Sequence, residues 1–185
     1  MSELVERAKA FALEAHKGQN RNNRAETPMM EHVSEVASLV EQSGGSKEEV
    51  VAAWLHDVVE DTHSVIQDIF DNFGEEVTSI VFGLTDLPEF RNLHTRERKA
   101  AQARRIRCLN DSVKRVKLAD QISNVRSTAV DPPVQWSRQR CFYYIEGARQ
   151  VIEECLGISS FLEDEFCKAY NAAKLVHGES TTDAS

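Results

Sequence analysis

Apolar residues recur at three- and four-residue spacing along nearly the whole chain, and two-residue alternation is almost absent. That period matches the side-chain repeat of a helix and not of a strand, so the pattern predicts an all-α fold. Leu4, Ala8, Phe11, Ala12 and Ala15 mark a first helix. After a polar loop from Gly18 to Thr27, Thr27 suits an N-cap and Pro28 the first turn of a second helix. That helix buries Val33, Val36, Ala37 and Val40 and ends at Gly44-Gly45. Ser46 caps a third, with Glu49 at the capping-box position. Ile66, Ile69, Phe70 and Phe73 make a short helix stopped by Gly74, and Val77, Ile80, Val81 and Leu84 make the next. Residues 86–94 read as a loop. A basic helix runs from about Arg96 to Leu109, another helix from Val113 to Thr128, and the Asp131-Pro132-Pro133 break follows. Cys141, Tyr144, Ile145, Ala148, Val151, Ile152 and Cys155 form a long stripe, and Leu162, Phe166, Ala169, Tyr170 and Ala173 close the pattern. Neither repeat nor linker interrupts it. The expectation is one compact bundle of eight or nine helices over residues 1–178, with a flexible polar tail at 179–185.

The 185 residues are 41% hydrophobic and 28% charged, enough for one well-sized core. A formal charge of −8 argues against a nucleic-acid partner, which needs positive potential over a broad surface. Cys108, Cys141, Cys155 and Cys167 have no metal-type spacing and read as reduced, packing cysteines of a cytoplasmic protein. No run approaches the ~20 apolar residues of a membrane span. A homodimer stays open.

One segment resists this plain description. Val50-Val51-Ala52-Ala53-Trp54-Leu55 is apolar, yet it runs into His56-Asp57-Val58-Val59-Glu60-Asp61. On a continuing helix His56 and Glu60 are four apart, as are Asp57 and Asp61, so all four polar groups share one face. Three carboxylates and an imidazole on a partly buried face repel and desolvate badly without a cation. His32 in the second helix and Asp120 in the helix after residue 111 complete a His … His-Asp … Asp order. Two imidazoles and two carboxylates suit a first-row divalent ion, provided the helices meet around a common point.

These residues carry a family resemblance. Thr27-Pro28-Met29-Met30-Glu31-His32, Leu55-His56-Asp57-Val58-Val59-Glu60-Asp61-Thr62, Phe73-Gly74, Gly83-Leu84-Thr85-Asp86 and Val116-Lys117-Leu118-Ala119-Asp120 with Asn124 resemble the HD-domain metal-dependent phosphohydrolases. Within them the chain is most similar to the small stand-alone alarmone hydrolases of the RelA/SpoT type, the metazoan SpoT-like members included. The Trp136 to Leu156 stretch resembles their C-terminal helix. The resemblance implies Mn2+ held by His32, His56, Asp57 and Asp120, with Glu60 and Asp61 positioning and activating the attacking water. It implies that Arg21 packs on a purine base and that Asn124 and Tyr144 contact the nucleotide. Arg24, Lys117 and, less cleanly aligned, Arg96, Arg98 and Lys99 are candidates for its phosphates.

The implied reaction is removal of the 3′-pyrophosphate from (p)ppGpp or (p)ppApp, with a small purine nucleotide as the partner. The chain departs from the family pattern in three places. Asn22 stands where the family has lysine, Met29 where it has an aromatic residue, and Asp120-Gln121-Ile122-Ser123-Asn124 where it has Asp-Arg-x-His-Asn. Asn22 and Met29 fall in the implied base and phosphate pocket and leave the choice of guanine or adenine open. A broader nucleotide phosphatase, acting for example on the 2′-phosphate of NADPH, and a non-catalytic alarmone-binding domain are the competing readings.

Overall fold

The computed structural model describes residues 2–178, the Arg91 side chain excepted, and the tail expected at 179–185 lies outside the described residues. Among the described residues the chain forms nine α-helices, one 3-10 turn and no strand. They are α1 (Glu3–Ala15), α2 (Met29–Gln42), α3 (Lys47–Leu55), α4 (Val58–Asp61), α5 (Ile66–Leu84), the 3-10 turn (Pro88–Asn92), α6 (Thr95–Ile106), α7 (Asp111–Val130), α8 (Arg138–Glu153) and α9 (Ser160–His177). None of these helices is long and apolar enough to cross a membrane.

Several boundaries follow the local chemistry read from the sequence. The Ser46 hydroxyl accepts from Glu49 N–H while the Glu49 carboxylate accepts from Ser46 N–H, a complete capping box. Gly74 breaks α5 with φ 83 and ψ 178, a conformation closed to residues with a Cβ. Other boundaries differ. Pro28, not Thr27, is the N-cap of α2. Thr27 instead folds back on the loop, where its Oγ1 accepts from Asn23 Nδ2 and its N–H donates to Asn23 Oδ1. The expected loop at 86–94 contains the 3-10 turn at Pro88–Asn92. Of the four cysteines expected to pack, only Cys141 and Cys155 are buried.

The most consequential difference lies at the polar run. Helix α3 stops at Leu55, His56 and Asp57 form a turn, and α4 restarts at Val58, so no single helix carries the run. His56 Nδ1 lies 2.8 Å from the Ala53 carbonyl, the acceptor that an uninterrupted helix offers to the Asp57 N–H. The side chain competes for a backbone acceptor, and the chain bends where chemistry is expected.

Helix α7 is the axis of the bundle and packs against α2, α3, α5, α8 and α9. Leu118, Ala119, Ile122 and Val125 are fully buried on it, and Asp120, Gln121 and Ser123 are nearly as deep. Each fully buried Leu, Ile or Val contributes about 1.5–3 kcal/mol, which offsets the cost of burying those polar groups.

Candidate active site

Helix α2 brings His32, the α3–α4 turn brings His56 and Asp57, and α7 brings Asp120 to one point. His32 Nε2 is 3.2 Å from His56 Nε2 and 3.4 Å from Asp57 Oδ2. His56 Nε2 is 3.2 Å from Asp57 Oδ2. Asp120 Oδ1 lies 3.6 Å from His32 Nε2 and 4.0 Å from His56 Nε2. Both imidazoles and Asp120 are buried.

The donor set fits a divalent ion. Ligand atoms each bonded at about 2.1 Å to one ion lie about 3.0–3.4 Å apart in octahedral or tetrahedral arrangements, close to the separations found among His32, His56 and Asp57. The ring orientations agree with this. A backbone carbonyl faces His56 Nδ1, so that nitrogen carries the ring proton and Nε2 presents a lone pair to the cluster. His32 Nδ1 is likewise engaged, by Ser123 Oγ at 2.8 Å. Two lone pairs 3.2 Å apart need a positive centre between them. Without a cation a proton does this work. Burial opposes charge on His56, yet Asp57 and Asp120 outweigh it and push its pKa up to about 9. Burial pulls His32 down, against the attraction of Asp57. Burial also opposes charge on Asp57, but the two imidazoles hold it well below the usual carboxylate range.

Asp120 is tied on both oxygens. Lys117 Nζ and Gln121 Nε2 each donate to Oδ2 at 2.9 Å, and Asn124 Nδ2 donates to Oδ1. Burial works against its charge, while Lys117 and His56 keep its pKa far below the ordinary value. Lys117 is thereby paired already. Asn124 Oδ1 accepts from Arg21 Nη2 at 2.7 Å, which anchors the loop before α2 to α7.

Two cavities meet at the cluster, and Asp57, Asn124, Trp136 and Tyr144 line both. The larger, about 900 Å³, is walled by Glu60, by the cationic Arg96, Arg98, Lys117 and Arg140, and by the buried Lys99. The smaller, about 360 Å³, holds Asp61, Arg21, Asn22 and Met29. Glu60 and Asp61 therefore flank Asp57 from different sides. Burial raises the pKa of both, with Asp57 adding to the rise at Asp61 and Lys117 opposing it at Glu60.

Most of the residues expected from the sequence converge here. Arg24 does not: its side chain is exposed, it lines neither cavity, and only its backbone N–H is engaged, by Asp131. The structure also adds residues to which the sequence assigned no role. Asp86, from the Gly83-Leu84-Thr85-Asp86 motif, donates its backbone N–H to Glu60 Oε1 and accepts from Arg98 Nε at 2.6 Å, so one residue braces both Glu60 and Arg98. Trp136 and Tyr144 rings pack 5.0 Å apart, with the Arg140 guanidinium 4.8 Å over Trp136. The quoted motif was the available signal for Asp86, and the Trp136 to Leu156 stretch was the signal for Trp136 and Arg140.

Comparison with known proteins gives the family. The HD-domain family profile matches residues 8–141. The chain is 36% identical over 162 residues to guanosine-3′,5′-bis(diphosphate) 3′-pyrophosphohydrolase MESH1 of Xenopus tropicalis, an overlap of 86% of this chain and 89% of that protein. To the Homo sapiens protein of the same name it is 34% identical over 165 residues, 88% of this chain and 90% of the relative. The solved structure of a metazoan SpoT orthologue, described as hydrolysing ppGpp and acting in starvation responses, superposes with a TM-score of 0.84 at 29% identity, over 92% of this chain and 96% of that one. The chain belongs to the HD-domain family, in the alarmone-hydrolase group that contains the MESH1 proteins.

Proposed function

We propose that this protein is a Mn2+-dependent hydrolase that removes the 3′-pyrophosphate of (p)ppGpp or (p)ppApp. The observation that carries the reading is the His32, His56, Asp57 and Asp120 cluster at the junction of two cavities, with Glu60 and Asp61 on either side of Asp57. The activity named for the MESH1 relatives supports it. The four cluster residues would hold the ion. A divalent ion supplies Lewis-acid polarisation of a phosphoryl oxygen and lowers the pKa of water beside it.

This chain's own groups do the rest. The smaller cavity takes the purine, with Arg21 over the base and Asn124 and Tyr144 beside the sugar. The larger cavity takes phosphates, because its cations face an otherwise acidic protein. Glu60, braced by Asp86 and Arg98, accepts a proton from the water that attacks the phosphorus bonded to the 3′-oxygen, and Asp61 orients that water. The phosphorus–O3′ bond breaks, pyrophosphate leaves, and the 3′-hydroxyl of the nucleoside 5′-di- or triphosphate takes up a proton.

The test is product analysis with Mn2+ and ppGpp, pppGpp, ppApp, pppApp and NADPH. Pyrophosphate released from an alarmone is the expected result. Orthophosphate as the sole product, or no turnover by metal-loaded protein, overturns the reading. Glu60→Gln should retain the metal and lose about 10²–10⁴ in kcat. Full activity in that variant would remove Glu60 from the mechanism.

A further inference from the structure

We propose that Ser123 and Glu35 form a relay that positions the metal ligand His32 by fixing which of its nitrogens carries the proton. The proposal rests on the reading of the cluster as a metal site. Ser123 Oγ lies 2.5 Å from Glu35 Oε2 and 2.8 Å from His32 Nδ1, and the hydroxyl is buried. A hydroxyl has one hydrogen, and a carboxylate can only accept. The hydrogen therefore goes to Glu35, and Ser123 Oγ must accept from His32 Nδ1–H. That leaves Nε2 bare and aimed at His56 Nε2 and Asp57.

Glu35 is held in turn. Its Oε1 accepts from Arg126 Nη1 at 2.7 Å, and Arg126 also pairs with Glu165 of α9. The relay itself ends at Glu35, and the Arg126 ion pairs lie outside it, tying α2 and α7 to α9. Neither Ser123 nor Glu35 lines the two cavities that meet at the cluster. They line an adjoining cavity of about 280 Å³ that shares Arg21, His32 and Ser127 with the smaller one, and the bond from Ser123 to His32 is what links them to the cluster.

Without Glu35, the Ser123 hydroxyl is free to turn its hydrogen toward Nδ1 and drive the ring proton to Nε2, where it competes with the ion. Partners of this kind typically account for 10–100-fold in metal affinity. The experiment is Mn2+ affinity by chelator competition on the full chain. Glu35→Ala and Ser123→Ala should each weaken Mn2+ by about 10–100-fold, and the double variant should lose no more than either alone. Arg126→Met, which removes the ion pair but keeps the Ser123–Glu35 bond, should bind as wild type does, and so should Ser123→Thr.

Ser123→Ala leaves the Arg126 ion pair intact and so remains informative if Glu35→Ala folds poorly. Wild-type affinity in either single variant overturns the relay while leaving the metal site in place. A wild-type protein that binds no Mn2+ overturns the metal reading and the relay together.

Discussion

At the scale of single residues, the site is a problem of charge solved by pairing. Asp57, Asp120, His32 and His56 neutralise one another, and Lys117 is spent on Asp120. Lys99 is different. It is buried in the wall of the larger cavity, with its Nζ donating to Gln121 Oε1 at 2.6 Å and lying 4.5 Å from the Tyr144 ring centroid. Burial, with Lys117 adding to it, pulls its pKa down to about 7 from the ordinary 10.5. A lysine depressed in the folded state takes up protons preferentially when unfolded. Its contribution to stability is present above the unfolded value and is lost as pH falls toward about 7. Lys99→Met should therefore gain stability relative to wild type at pH 6, and the gap should shrink by pH 9, as urea melts at the two pH values would show. An equal gap at both would mean that Lys99 does not change protonation between the two states. The candidate metal residues were legible only as a set, from type and order taken together. Ser123, Glu35 and Gln121 were not legible, because a lone polar residue on a helix reads as surface until its neighbours are known.

At the scale of elements, the caps and breaks obeyed local rules, and the exceptions occur where tertiary contacts compete. Ser46 and Gly74 behaved as their types dictate. His56 did not, because its ring reaches back to Ala53 and ends α3 early. The α6–α8 packing has a similar hidden requirement. Gly147 of α8 faces the Lys99 stem so closely that an added Cβ would fall 2.6 Å from Lys99 Cβ. Gly147→Ala should force α6 and α8 apart and cost about 1–3 kcal/mol, although alanine is the better helix former by about 1 kcal/mol. Chemical denaturation would measure it, and a stabilised variant would refute the close approach. Because Lys99 and Tyr144 belong to these two helices, the same variant should also raise KM more than it lowers kcat.

At the scale of the whole molecule, the cluster joins parts of the chain that are distant in sequence. His32, His56-Asp57 and Asp120 come from α2, the α3–α4 turn and α7, so an ion bound there ties the centre of the bundle together. Any ligand that binds only the folded state stabilises it by mass action, by about 2.7 kcal/mol at a hundredfold excess over Kd. Mn2+ should raise Tm by roughly 5–10 °C over chelator-treated protein. Asp57→Ala should abolish the shift in calorimetry. A Tm indifferent to Mn2+ in wild type would contradict the metal centre.

The sequence by itself determined the helical class, most helix ends and which histidines and aspartates were candidates for a metal, because periodicity, caps and side-chain chemistry are local properties. It also carried the family resemblance, through motifs whose order survives without coordinates. The tertiary structure alone decided which polar groups support those residues. Helix α7 is buried on nearly every side, so no amphipathic pattern marks Asp120, Gln121 and Ser123 as interior. The partners of Ser123 and Lys99 lie 88, 91 and 22 positions away, and only packing brings them within bonding distance.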